Sequence, residues 1–121
     1  MILVAVDDFL FRSKIRTTAK QAGVEVVFPK SADEMLEQAR TANPSLAIFD
    51  LNSATLAPIE TIAAMKQDPA LSSIRTLGFV SHVDSARIQA ARVAGADEVM
   101  ARSAFAGQLA DILLTDRTTQ P

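Results

Sequence analysis

The chain reads as an α/β protein: a doubly wound sheet of five parallel strands with helices on both faces, a three-layer sandwich. Three observations predict it. Short apolar runs alternate with longer helical segments from end to end. Runs such as residues 2–6 and 46–49 are apolar without interruption, as strands buried on both faces require. The runs also end in charge: Asp7-Asp8 after the first, Asp50 after the third, Arg102 after the last. In such a sheet the carboxyl ends of the strands open on one edge, where ligands and chemistry sit. Two carboxylate clusters and a guanidinium meeting there suit a cation, a phosphoryl group, or the remnant of such a site.

Each element has a local reason. The first strand is residues 2–6. The first helix spans 10–22, and Gly23 stands where a left-handed residue closes a helix. The second strand is 24–28. Ser31-Ala32-Asp33-Glu34 has the spacing of a capping box and opens a helix that runs to Thr41. Asn43-Pro44 marks a turn before the third strand, 46–49. Pro58 suits the first turn of the third helix, which ends before Asp68-Pro69. The fourth strand is 76–80. Asp84 is a good N-cap for a fourth helix that stops at Gly95. The fifth strand is 98–101. Ser103 is the expected cap of a fifth helix with Phe105, Leu109 and Leu113 on one face. Five strands and five helices follow. Residues 1–115 form the domain, and 116–121 a polar, frayed tail.

Composition narrows the function. At 121 residues, 49% hydrophobic and 21% charged, the chain has the profile of one soluble domain with its own core. No Cys is present, which removes disulfides and thiolate zinc sites. The single His, His82, argues against an imidazole metal cluster and reads as an exposed loop residue near the site. A net charge of -2 argues against direct nucleic-acid binding. No apolar stretch is long enough for a bilayer, and the first run has no basic flank to make it a signal peptide. The expected location is cytoplasmic, for a bacterial source.

Taken together, Val6-Asp7-Asp8, Arg12, Gly23, Pro44-Ser45 leading to Asp50, and Ala94-Gly95-Ala96-Asp97 resemble a response-regulator receiver domain of the CheY-like kind, over residues 1–114. The resemblance implies strand order 2-1-3-4-5 and a flavodoxin-like sandwich. It implies that Asp50 is the phospho-acceptor, beside a divalent cation. It also implies departures. Placed without gaps on Arg12, Gly23, Asp50 and Gly95, the first of the family's two acids falls on Val6 and the second on Asp7, with Asp8 adjacent. The hydroxyl closing strand four falls on Val80, with Ser81 one residue later. The lysine after strand five is Arg102, the proline behind it Ser103, and the aromatic switch Val99. The loop 51–57 carries no Gly.

Phosphoryl transfer to an aspartate needs a metal, a fixed cation and a hydroxyl that reports the phosphoryl group. Asp7, Asp50 and the Asn52 backbone carbonyl are the expected ligands, with Asp8 able to substitute, so magnesium is expected to bind weakly. Val80 has the shape of threonine without the oxygen, and Val99 lacks the ring that would swing inward. Arg102 is forked and is expected to pair bidentately with Asp50 without phosphate, as a structural salt bridge. The expected function is therefore a degenerate pseudo-receiver, not an enzyme. It would act in signalling through a protein partner, with any output made in trans. The alternative is an active, magnesium-dependent receiver phosphorylated on Asp50, with Asp8 and Ser81 shifted into place. A flavodoxin-like cofactor binder is the remote alternative. The chain's 4 Gly make no phosphate cradle, and no Trp or Tyr can stack on a flavin.

Simpler readings stand beside these. Asp7 and Asp8 suit the first turn of a helix. Arg12, Arg16 and Lys20 recur every four residues, as a solvated stripe or as the docking surface for a histidine kinase or phosphotransfer protein. Ala86, Ala90, Ala91 and Ala94 on helix four, with Val99 and Met100, suit ordinary packing. They also suit a homodimer or output contact through helix four, strand five and helix five.

Overall fold

The computed structural model describes residues 1–81 and 84–118, with side chains through Thr115. The expectation for His82 lies outside the described residues. The elements in order are β1 (Ile2–Ala5), α1 (Phe9–Ala22), β2 (Val26–Val27), α2 (Ala32–Ala42), β3 (Leu46–Asp50), α3 (Pro58–Gln67), β4 (Arg75–Val80), α4 (Ser85–Ala94), β5 (Glu98–Ala101), α5 (Arg102–Gly107) and α6 (Leu109–Thr118). All strand pairings are parallel, in the order β2-β1-β3-β4-β5. The expected fold class holds.

The sheet separates two cores by strand alternation. Ile2, Val4 and Val6 face one side with Ile48, Phe79, Phe11 and Ile15 of α1, Phe105 of α5, and Leu109 and Leu113 of α6. Leu3, Ala5 and Phe49 face the other with Met35 of α2, Ile62 and Met65 of α3, and Ala91 of α4. On the first side Phe79 and Phe105 stack at 4.7 Å, and Phe11 meets them edge-on at 5.4 and 5.8 Å. Each buried ring contributes on the order of 2 kcal/mol. These rings lie just under the carboxyl edge of the sheet and brace the elements that emerge there.

Caps place the helix ends. Asp8 accepts from the amides of Leu10 and Phe11 at 3.0 and 3.2 Å and starts α1. Ser31 accepts from Glu34 N–H at 3.0 Å, and Asp84 from Arg87 N–H at 3.0 Å. Gly95 closes α4 at φ 109°, and a Cβ there would meet Lys66 Cγ at 2.7 Å. Glycine is required at that position on both counts.

Four expectations change. The second strand is only Val26–Val27, because the Val24 amide turns back to Ala19 O at 2.9 Å in the α1 cap. The fifth helix is two, broken at Gln108, whose N–H bonds both Ala104 O and Phe105 O. Ser103 is not the cap: β5 runs straight into α5, Ala101 takes the N-cap position without a side-chain bond, and Ser103 falls inside the first turn. Finally, α6 continues to Thr118, so the backbone is helical through the first residues of the expected tail.

Candidate functional site at the carboxyl edge

Three strand ends meet as expected, but their side chains are shared out differently. Asp50 is the last residue of β3, paired in register with Phe79 of β4, and only 5% exposed. One carboxylate oxygen accepts the Asn52 N–H at 2.9 Å. The other makes no hydrogen bond with a described residue. Burial pushes the Asp50 carboxyl above its ordinary range. The nearby charges of Asp7 and Asp8 push the same way, against the Asn52 amide and Arg102. The last residue of the β1 run, Val6, is apolar, 1% exposed and part of the core on the α1 side.

Asp7 and Asp8 follow it and face separate tasks. One oxygen of Asp7 accepts the hydroxyls of Ser53 at 2.8 Å and Thr55 at 3.0 Å. Ser53 Oγ accepts in turn from the Leu56 amide at 3.1 Å, so this carboxylate ties β1 to the loop after Asp50. Asp8 caps α1 with one oxygen and accepts from Arg102 with the other at 2.9 Å. The Arg102 bond, then the Phe11 amide, hold the Asp8 carboxyl below its ordinary range.

Arg102 therefore does not pair with Asp50, and the expected bidentate contact is corrected. Its guanidinium lies 4.2 Å over the Phe11 ring while bonding Asp8. A ring to lie on and a half-exposed acid together cost less desolvation than a pair with the buried Asp50 carboxylate. Arg102 acts on Asp50 only through its field.

The loop after β3 carries the site's other polar links. Asn52 Oδ1 accepts from Ser81 N–H at 2.8 Å and joins the ends of β3 and β4. Arg87 of α4 donates to Leu51 O at 2.7 Å. β4 ends at Val80, which is 4% exposed within the apolar cluster on the α2–α4 side. Ser81 lies just beyond, exposed, and its hydroxyl makes no hydrogen bond to Asp50. Val99 is half-buried on β5 against that same cluster.

These donors do not fit a ready magnesium site. The cation demands near-octahedral oxygen ligands free to face it. Here one oxygen of Asp7 is held by two hydroxyls, and both oxygens of Asp8 are held, by two amides and by Arg102. Among the described residues no group of three or more acidic or imidazole side chains is arranged for a metal.

The basic residues of α1 are not one free stripe. Arg16 lies over the Phe28 ring at 4.8 Å. Arg12 is half-buried, with Nε enclosed and without a hydrogen-bond partner. Lys20 is exposed in the last turn, where a cation complements the helix dipole.

Spacing alone did not reveal the roles of Ser53, Thr55 and Arg87. Ser53 and Thr55 carry a weak signal, as short hydroxyl residues in a loop beside an acid. Arg87 carries none.

No protein-family model matches the chain, and no curated protein matches it significantly in sequence. Its likeness is to solved structures. The response regulator from Hahella chejuensis superposes with a TM-score of 0.84 at 21% identity, covering 98% of this chain and 95% of that one. The phosphorylated cyanobacterial phytochrome response regulator RcpA gives 0.80 at 22% identity, covering 99% and 95%. The manganese-bound response regulator Rcp1 gives 0.77 at 15% identity, covering 99% and 96%. At these identities the likeness is one of fold, and the fold of this chain is that of the CheY-like receivers.

Proposed function

We propose that residues 1–115 are a receiver-like signal-transduction module that acts by binding a protein partner, without phosphorylation of Asp50. One observation carries this reading: acids and the cation that phosphoryl chemistry would use around Asp50 are engaged by other partners, one oxygen of Asp7, both oxygens of Asp8, and Arg102. Asp7 holds Ser53 and Thr55, and Asp8 holds Arg102. At the end of β4 stands Val80, whose methyls cannot accept or donate. Such a chain is not an enzyme, and magnesium binds it weakly. The partner class is a histidine kinase, a phosphotransfer protein or an output protein. Arg12, Arg16 and Lys20 on α1 are the proposed contact for the first two. A homodimer through α4, β5 and α5 is a further arrangement of the same kind. No helix among the described residues is long and apolar enough to cross a membrane.

The test is incubation with acetyl phosphate and magnesium, read by intact-protein mass. The expected result is an unchanged mass, and a gain of one phosphoryl group on Asp50 overturns the reading.

A second reading has one observation in its favour. One oxygen of Asp50 makes no hydrogen bond with a described residue, which leaves a nucleophile available, as an active magnesium-dependent receiver needs. Ser81 and Asp8 would then have to supply the hydroxyl and second acid. Beryllofluoride with magnesium would shift the amides around Asp50 and Ser81 in that case, and leave them in place otherwise.

A further inference from the structure

A cavity of about 570 Å³ opens between α4, β5 and α5, adjoining the Asp50 site through Val80, Ser81 and Arg102 and reaching away from it to Arg92. That volume falls within the roughly 300–1,000 Å³ of small-molecule sites. Small side chains make the space: Val80 on β4, Val99 on β5 and Ala106 on α5, with Ile88 of α4 opposite. Among the described residues two cations line it, Arg92 and Arg102, and no carboxylate does. Arg102 is already engaged by Asp8 and the Phe11 ring. Arg92 is exposed in the last turn of α4 and makes no ion pair with a described residue. The hydroxyl residues Ser81 and Ser103 complete the opposite end of the lining. Because α4 runs against the strands, Arg92 and Ser81 stand at opposite ends of the cavity.

We propose that this cavity binds a small organic anion, a carboxylate carried on a one- or two-ring aromatic body. The body lies against Val80, Ile88 and Val99, and the carboxylate bonds Arg92. Charge complementarity favours this occupant: a concave apolar wall with an unpaired guanidinium fits an amphipathic acid. A partner helix would instead bring large apolar side chains into the groove and needs no anion opposite Arg92. Among the described residues the exposed large apolar side chains are Phe9, Leu10 and Val93, and of these only Val93 belongs to α4, β5 or α5. The proposal does not depend on whether Asp50 accepts phosphate.

The probe is indole-3-acetate, titrated into the full chain and read by methyl and amide NMR shifts, with indole-3-acetamide as its uncharged counterpart. The expected result is saturable shifts centred on Val80, Ile88 and Val99, with the acid bound about tenfold more tightly than the amide, as a charge-assisted bond predicts. Arg92→Gln should remove most of that preference. Val99→Phe or, from the α5 side, Ala106→Leu should fill the space and abolish binding while the chain still melts cooperatively. Three results overturn the proposal: no saturable shift at millimolar acid, equal affinity for acid and amide, or undiminished binding in both filled variants. A fourth does so as well: an acidic peptide bearing a Phe binds where the free acid does not, which assigns the cavity to a protein partner.

Discussion

Asp97 and Asp50 sit at opposite edges of one sheet and show two uses of a carboxylate. Asp97 precedes β5 at the amino edge. Its Oδ2 accepts from Lys66 Nζ at 2.8 Å, from Thr76 N–H at 2.8 Å and from the Thr76 hydroxyl at 3.1 Å. Lys66 also donates to Ile74 O at 2.9 Å. Burial pushes the Asp97 carboxyl upward, but the Lys66 and Thr76 bonds outweigh it and hold the group below its ordinary range. Among the described residues Asp50 has one amide donor and no cation in contact, and its carboxyl is displaced the other way. The first acid is spent on joining α3, β4 and β5. The second has no ion-pair partner among the described residues and, buried, adds little to stability. The difference lies in partners, since burial pushes both acids the same way.

The largest expected effect comes from the amino edge. Asp97→Ala strips three bonds from one acceptor: the buried Thr76 amide loses its acceptor, and the Thr76 hydroxyl keeps only the bond it accepts from the residue 97 amide. The expected loss is about 2 kcal/mol at neutral pH in urea unfolding. Because the Asp97 carboxyl is depressed in the fold, its contribution is fully present above the unfolded value and disappears as pH falls through the folded one. Glu98→Ala, which breaks the exposed Arg75–Glu98 pair at 3.0 Å, should cost no more than about 0.5 kcal/mol. If the two variants lose equally, the amino-edge cluster is not a lock and the contrast with Asp50 fails.

Where a signal was local, the sequence was legible. The Ser31 cap of the expected box, the Asp84 cap and the left-handed glycines at 23 and 95 concern neighbouring backbone, and each appears in the structure. The convergence of Asp50, Asp7, Asp8 and Arg102 was legible too, because parallel strands must end on the same edge. Partner choice was not. Arg102 reaches Asp8 across 94 residues of chain, and Ser53 reaches Asp7 across 46. Which of several nearby acids a guanidinium takes depends on desolvation and on the Phe11 ring beneath it, and neither is written in spacing. The break at Gln108 escaped for a similar reason. Phe105, Leu109 and Leu113 keep helical spacing and all bury on one side, so the pattern passes over the interruption unchanged.

Asp8 is intermediate between the two acids, and it sharpens the comparison with a smaller effect. Asp8→Ala removes the α1 cap and the Arg102 bond together, for an expected loss of about 1 kcal/mol. Asp8→Asn keeps an acceptor for the Leu10 and Phe11 amides and removes the charge and the oxygen that Arg102 bonds, so it should lose about half as much. The depressed Asp8 carboxyl stabilises the fold above its unfolded value, and that benefit fades as pH falls through the folded one. The gap between the native chain and Asp8→Asn should accordingly close in acid. A gap that stays constant with pH would show that Arg102 contributes through packing on Phe11 and not through charge.

Asp50→Asn should produce the smallest change and the one of opposite sign. Asparagine keeps an oxygen for the Asn52 amide while removing a buried charge that no cation touches, so the variant should be more stable at neutral pH, by about 0.5 kcal/mol. The pH dependence follows from the raised carboxyl. Between the unfolded value and the higher folded one, the native chain holds more protons than the unfolded chain. Stability of the native chain therefore falls as pH rises through that window. The advantage of the asparagine variant should be full above the folded value and absent below the unfolded one, as urea midpoints across acid to neutral pH would measure. A variant less stable than the native chain at neutral pH would mean that Asp50 is paired after all, as Asp97 is, and the two edges of the sheet would then be doing the same work.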